Sequence, residues 1–228
     1  MTNCYSLYFF LHKMSDVSLV HVRQINSTEF TQALEIYRVS FPPNEKQPEE
    51  VIRQRVDSGQ SILYCAKSGE KVIGICLLWD FKGCEFMLLD YMAVEMNYRF
   101  TGIGSRMFSS LVNKMKAEGR KLVMEVEHPS FGENKTERLK RVNFYLKNGA
   151  LILRGVPYLL PPLDGTNPTE MLLLLAPAES DEVLSGESIR SLVKRLYAEL
   201  YGRDENDELL QSFIHRIPEM NKLVSDYE

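Results

Sequence analysis

The 228-residue sequence is poor in the groups that most often announce a function. Its four cysteines (Cys4, Cys65, Cys76 and Cys84) include no C-x-x-C pair, and its four histidines (His12, His21, His128 and His215) are scattered. A zinc site or a disulfide framework is therefore disfavoured, and reduced thiols in a cytoplasmic protein are the plain reading. No apolar run approaches the roughly 20 residues that a membrane helix needs. The stretch Tyr5 to Leu11 is too short, and lacks a preceding basic side chain, to act as a secretion signal. Charge of one sign is also missing. With 27 basic and 31 acidic residues the formal net charge is −4, which gives no general attraction for nucleic acid or an anionic membrane. What remains is a chain 44% hydrophobic and 25% charged, the composition of a folded globular protein.

Apolar periodicity divides the chain into alternating elements. Residues 1–14 read as a poorly ordered lead-in, 15–177 as one α/β domain, and 178–228 as an acidic appendage. Alternation predicts a strand near 18–24. Ser27-Thr28 caps a helix carrying Phe30, Ala33, Leu34, Ile36, Tyr37 and Phe41, and Pro42-Pro43 stops it. Pro48-Glu49-Glu50 opens a second helix that ends at Asp57-Ser58-Gly59. Three strands follow at 61–66, 71–80 and 83–95, then a helix over 102–117. A strand over 121–127, a helix over 136–148, and strands near 150–158 and 169–176 complete the domain. The order β-α-α-β-β-β-α-β-α-β-β implies a mixed sheet with helices on both faces.

Beyond Pro177 the composition shifts to 12 acidic and 6 basic residues. Two amphipathic helices are visible there. The first carries Ile189, Leu192, Val193, Leu196 and Leu200, and the second carries Leu209, Leu210, Phe213, Ile214 and Ile217. Such helices cannot bury both apolar faces alone, so they are expected on the main domain or in a homodimer interface.

The chemistry is concentrated in the run Leu88 to Ser105, a strand, a short loop and a helix start. Gly102 and Gly104 let the backbone turn sharply and approach a ligand closely. Free N–H groups of the first helical turn then point outwards with the positive end of the dipole behind them, a geometry that accepts phosphate or pyrophosphate. A nucleotide-triphosphate loop would need Gly-Lys-Ser/Thr, whereas the sequence reads Gly104-Ser105-Arg106. A dinucleotide fingerprint would need glycine where Met107 stands, which makes Glu125, about 20 residues further on, a decoy in that scheme.

The stretch Arg99-Phe100-Thr101-Gly102-Ile103-Gly104 resembles the Arg/Gln-x-x-Gly-x-Gly/Ala signature of the GNAT superfamily of acyl-CoA-dependent N-acyltransferases. Met92-Ala93-Val94 before it is similar to that superfamily's Leu-Ala-Val strand end. Further on, Phe144-Tyr145-Leu146-Lys147-Asn148-Gly149-Ala150 resembles its tyrosine-x-x-x-glycine ending. The resemblance runs from about residue 18 to 176. It implies an α/β fold with a central, mixed, mostly antiparallel sheet, splayed and flanked by helices, here with a C-terminal helical extension. It further implies acetyl-CoA as co-substrate, with no metal.

The same resemblance assigns roles. Backbone groups of Met92, Ala93 and Val94 would hold the pantetheine arm between two diverging strands, with the Met92 N–H polarising the thioester carbonyl. Backbone N–H groups of Arg99, Phe100, Thr101, Gly102, Ile103, Gly104 and Ser105 would hold the pyrophosphate. Tyr145 matches the family's general acid for the departing thiolate. For the base, Asp90 and Glu45 rank first and Glu127 behind them, with a water chain as an equal competitor. Two positions depart from the family pattern. Arg138 stands where an asparagine is common, and the cluster Arg138, Lys140 and Arg141 suits either CoA phosphates or a solvated basic face. Phe100 and Thr101 stand where many relatives carry Gly-Lys.

The expected activity is transfer of an acetyl group to a primary amine by direct attack in a ternary complex, the acceptor being a small molecule or a peptide. Two other readings stay open: a GNAT-fold module that binds CoA without turnover, and a transferase that uses a longer acyl-CoA. The segment Leu159 to Asn167, with Tyr158, either shapes the acceptor pocket or serves as a proline-stiffened connector.

Overall fold

The computed structural model describes residues 18–162 and 167–227, so the lead-in expected over 1–14 lies outside the described residues. The chain forms two compact units. One comprises the residues up to Asp80 together with Leu89–Leu111; the other comprises Phe81–Leu88 together with the chain from Val112 onward.

The first unit contains β1 (Ser18–Val22), α1 (Thr28–Ser40), α2 (Glu49–Asp57), β2 (Ser61–Ser68), β3 (Lys71–Asp80) and the greater part of β4 (Phe86–Val94). Strands β1 and β2 pair antiparallel (Val20 opposite Cys65), as do β2 and β3 (Tyr64 opposite Cys76). Strand β4 follows β3 in the sheet. Helix α1 begins where Ser27 Oγ accepts the Phe30 N–H at 3.1 Å, and it stops before Pro42-Pro43. Its buried face, Phe30, Ala33, Leu34, Ile36 and Tyr37, joins Leu63, Val72, Ile75, Leu77 and Tyr91 in one apolar core. Each of these large side chains contributes about 1.5–3 kcal/mol through removal from water.

The second unit begins with Phe86–Leu88 of β4, which pair in parallel with Lys121–Val123 of β5 (Lys121–Glu127). Next comes α4 (Lys135–Lys147), where α3 is the helix Ile103–Ala117 that begins in the first unit. Strands β6 (Leu151–Leu153), β7 (Leu159–Leu160) and β8 (Thr169–Ala176) follow. Strand β8 lies antiparallel between β5 and β6, so β5 and β6 are parallel and α4 is the crossover between them. The strand expected near 150–158 is thus shorter, Leu151–Leu153, and β7 lies beyond it in the proline-rich segment read as a connector. Gly155, at φ 69°, turns the chain out of the sheet, and Pro157 has no N–H to continue a ladder.

The segment after Pro177, read from sequence as two helices, also holds two strands. Its order is β9 (Val183–Ser185), α5 (Gly186–Arg195), a π-helical turn (Leu196–Leu200), α6 (Glu208–Ile214) and β10 (Met220–Val224). Strand β10 pairs antiparallel with both β6 and β9. Its alternation is masked in the sequence because a polar residue, Asn221, takes an inward position. Asn221 is fully buried and its amide donates to the carbonyls of Leu184 (3.2 Å) and Pro218 (2.9 Å). The apolar faces of α5 and α6 are covered within this unit: Ile189, Leu192, Val193, Leu210, Phe213 and Ile214 are all buried.

Candidate coenzyme and acyl-transfer site

In the first unit, β4 ends in a turn whose backbone is held on both sides. The Glu95 N–H donates to the Ile73 carbonyl at 2.9 Å, which ties the turn to β3. Met96–Tyr98 form a single 3₁₀ turn, and the Tyr98 N–H reaches the Glu95 carbonyl at 2.9 Å. Lys71 stands over the Tyr98 ring (5.0 Å) and 3.7 Å from the Glu95 carboxylate. The Arg99 side chain folds back, with Nε donating to the Val94 carbonyl at 3.0 Å and Nη2 reaching Ser40 Oγ at 3.5 Å.

The next residues carry the feature that matters. Phe100 (φ 62°) and Gly102 (φ 83°) are both left-handed, and they aim the intervening backbone into the start of α3. The Arg106 N–H closes the first turn on the Gly102 carbonyl at 3.1 Å. The N–H groups of Ile103, Gly104 and Ser105 come before that bond, so α3 itself offers them no acceptor. Aligned N–H groups at the positive end of a helix dipole suit a pyrophosphate. The backbone at Phe100 is left-handed, a conformation that glycine adopts most easily, and the phenylalanine keeps its ring wholly in solvent.

Helix α3 is seated by Gly74. A Cβ at that position would lie 2.5 Å from Met107 Sδ and 3.2 Å from the Ala93 carbonyl oxygen. Only a residue without a side chain lets the helix that follows the phosphate turn settle against β3.

Asp90 and Glu45 also belong to this unit. The Asp90 carboxylate lies 3.8 Å from the Arg55 guanidinium, with the two side chains 13% and 14% exposed. Glu45 ends the 3₁₀ turn Pro43–Glu45; its side chain is exposed and its carbonyl accepts from the Tyr91 phenol at 3.2 Å. Sequence reasoning missed Tyr37 and Tyr91 here. The Tyr91 oxygen also accepts the Gln47 N–H (3.2 Å), and the Tyr37 phenol donates to the Gln47 carbonyl (3.0 Å). Their rings and Phe41 pack within 5.5 Å of one another, and together they pin the segment between α1 and α2. Burial pushes both phenols up from the ordinary tyrosine value. The available signal was a tyrosine, Tyr91, at an inward position of a strand that otherwise buries apolar side chains.

In the second unit, Tyr145 lies half-buried in the last turn of α4, with its ring edge-on to Phe144 at 5.2 Å. Arg138 does not stand free for a phosphate. It lies 3.0 Å from Glu127 and donates to the carbonyls of Phe131 and His128. The chain turning back after β5 exposes those carbonyls inside the loop, and the guanidinium satisfies them. Arg141 binds the other Glu127 oxygen at 3.0 Å, so Glu127 is forked between two guanidiniums. His128 packs between Phe131 and Tyr227, and burial lowers its pKa.

Two phenols meet Glu125, on the same face of β5 as Glu127. Tyr158 and Tyr201 each donate to one of its oxygens, Tyr201 at 2.8 Å. Sequence reasoning weighed Tyr158 but missed Tyr201, which lies 76 positions from Glu125 along the chain. Among the described residues no cluster of ligating side chains could hold a metal ion, and no helix is long and apolar enough to cross a membrane.

A strand ending in a left-handed turn, followed by a helix whose first N–H groups have no acceptor within the helix, is an arrangement that suits a phosphate group. Residues 59–149 match the family model for the acetyltransferase (GNAT) domain. Comparison with curated proteins gives no match. Among solved structures, a GNAT-family acetyltransferase from Bacteroides thetaiotaomicron superposes with a TM-score of 0.67 at 25% identity, covering 81% of this chain and 98% of that one. An aminoglycoside 6'-N-acetyltransferase complexed with coenzyme A gives 0.55 at 16% identity, over 72% and 99%. Spermidine N-acetyltransferase from Vibrio cholerae, in complex with CoA and spermine, gives 0.53 at 12% identity, over 71% and 95%. At these lower identities the likeness is one of fold.

Proposed function

We propose that this enzyme transfers the acetyl group of acetyl-CoA to a primary amine by direct attack in a ternary complex. The observation that carries the reading is the backbone from Arg99 to Arg106: two left-handed residues lead into α3, whose first helical bond is made only at the Arg106 N–H. The N–H groups of Ile103, Gly104 and Ser105 grip the pyrophosphate, the role the family signature assigns them. Backbone groups of Met92 and Ala93 serve the pantetheine arm. Val94 offers less than its neighbours, because its carbonyl already accepts from Arg99.

When bound, the coenzyme supplies an activated acetyl thioester; the chain's own residues place it and move protons. Tyr145 gives its proton to the departing sulfur. Removal of the ammonium proton is assigned to Glu45 and water, because the Asp90 charge is engaged by Arg55. Small amines of the kind acetylated by the aminoglycoside and spermidine enzymes are the acceptor class we favour, and a lysine side chain presents the same ammonium.

The test is thiol release from acetyl-CoA with a panel of diamines, aminoglycosides and lysine peptides. At least one amine is expected to be acetylated. Tyr145→Phe should lower its kcat about 100-fold, with acetyl-CoA affinity kept. A Tyr145→Phe enzyme that turns over every acceptor at the wild-type rate would remove the acid assignment, and a wild type that acetylates nothing would favour a CoA-binding module without turnover.

A further inference from the structure

Within the first unit, Tyr91 joins two parts of one reaction. It stands on β4 directly before Met92, whose backbone N–H is assigned to the thioester carbonyl, and its phenol reaches the segment between α1 and α2 that carries Glu45. There the hydroxyl donates to the Glu45 carbonyl and accepts the Gln47 N–H, both at 3.2 Å. One oxygen thus holds the backbone on either side of Lys46. The ring is fixed in its turn. Tyr91 is 7% exposed, and the rings of Tyr37 and Phe41 each meet it edge-on with centroids 4.9 Å away. Tyr37, itself buried, adds a second tie by donating to the Gln47 carbonyl at 3.0 Å.

The segment needs such ties. Residues 42–48 include Pro42, Pro43 and Pro48, none of which has a backbone N–H to give. Its other fastenings lie at the surface. Arg38 forks onto Glu49 at 2.7 and 2.9 Å, with the side chains 54% and 37% exposed, and Lys46 Nζ donates to the Arg38 carbonyl at 2.8 Å. Exposed ion pairs of that kind contribute little. The buried phenols are the firmer hold, and of the two only Tyr91 sits on the strand that presents Met92. Burial pushes its hydroxyl far above the ordinary tyrosine value, so it stays protonated and keeps donating to Glu45 wherever an amine is acetylated.

Resting on the acetyltransferase reading and on Glu45 as acceptor of the ammonium proton, we propose that Tyr91 is a positioning residue: through its phenol, the strand that presents the Met92 backbone fixes where Glu45 stands. The spacing between thioester and proton acceptor is then set by one packed side chain, with Tyr37 as its brace. Displacing a reacting group by about 1 Å costs up to about 100-fold in rate, so a single hydroxyl far from the acyl group can matter.

The experiment measures kcat against pH for wild type, Tyr91→Phe, Glu45→Gln and the double variant, with whichever of cadaverine, kanamycin and a lysine peptide the wild type acetylates fastest. Tyr91→Phe keeps the ring and its packing. Its kcat should fall about tenfold at neutral pH, with acetyl-CoA affinity within about twofold of wild type. Glu45→Gln should fall about 100-fold, and the double variant should be no slower than Glu45→Gln alone. The pH of half-maximal kcat should rise in both single variants, because the ammonium must then lose its proton to water. A loss that is equal at every pH, or losses that multiply in the double variant, would show a phenol that only stabilises the fold and would overturn the assignment. So would a wild-type kcat in Tyr91→Phe. If Tyr91→Phe does not fold, Tyr37→Phe, which loses the bond to the Gln47 carbonyl, decides by the same comparison, with a fall of about threefold expected. A wild-type kcat in Glu45→Gln removes the proton acceptor and the positioning role together. A wild type that acetylates none of the three amines overturns the transferase reading itself, and this proposal with it.

Discussion

The carboxylate of Asp90 lies 3.8 Å from the guanidinium of Arg55, and that guanidinium is stacked over the indole of Trp79 at 4.7 Å. A charge placed between a strand and an aromatic face, largely out of solvent, is held in an ion pair, and that pairing favours a structural use of an acid that strand position alone would nominate as a base. The pairing separates two roles that a sequence leaves merged.

Asp90→Ala should therefore act on stability first. Removing one partner of a mostly buried pair leaves Arg55 with an uncompensated charge, at a cost of about 3 kcal/mol in urea unfolding. The double variant Arg55→Met/Asp90→Leu should recover most of that loss. Turnover per folded Asp90→Ala molecule should stay within about ten-fold of wild type, since loss of a true general base costs about 100-fold or more.

The left-handed turn makes a second prediction. Gly102→Ala meets no neighbouring atom, yet at φ 83° it should cost about 1–2 kcal/mol from backbone strain alone, and weaken CoA binding by displacing the N–H groups that follow. Phe100→Gly should leave stability within about 1 kcal/mol of wild type. Its ring is fully exposed, so no packing is lost, and relief of strain offsets the extra freedom of glycine in the unfolded chain. Chemical denaturation of the two variants side by side measures both.

A third prediction follows from Glu125. Its carboxyl titrates above the ordinary value of 4.5, chiefly because of burial. As pH rises from that ordinary value through the raised one, the native protein still holds a proton that the unfolded chain has released. The unfolded state then binds fewer protons, so wild-type stability falls across this window. Glu125→Gln should lack that decline, and the difference in melting temperature between the two should widen in favour of the variant as pH increases. A difference that is flat with pH would contradict the buried, proton-holding carboxylate.

The strand, turn and helix around Gly102 were readable in sequence because their determinants are local: two glycines two residues apart, a strand before them and an amphipathic helix after them. The same locality made α1 and its Ser27 cap legible. What escaped depends on residues far apart in the chain. Tyr201 reaches Glu125 across 76 positions, and nothing in either neighbourhood announces the contact. Strand β10 hid because a buried asparagine broke its apolar alternation; its amide nitrogen donates to carbonyls of Leu184 and Pro218, and Leu184 lies far from it along the chain. Arg138 looked available for CoA because a basic helix face is defined by sequence, whereas the loop carbonyls and Glu127 that occupy it are not. The left-handed backbone at Phe100 was likewise hidden, because phenylalanine rarely adopts that angle and nothing beside it in the sequence marks it.

The decisive measurement is calorimetric titration of acetyl-CoA into the wild-type protein and into Gly104→Asp, which places a carboxylate among the N–H groups at the start of α3. Wild type should bind one equivalent, with an affinity that falls as salt is raised, and Gly104→Asp should bind at least tenfold more weakly, a loss of about 1.4 kcal/mol or more. Equal binding by both proteins, or no heat from either, would contradict a pyrophosphate held by the backbone around Gly102 and Gly104.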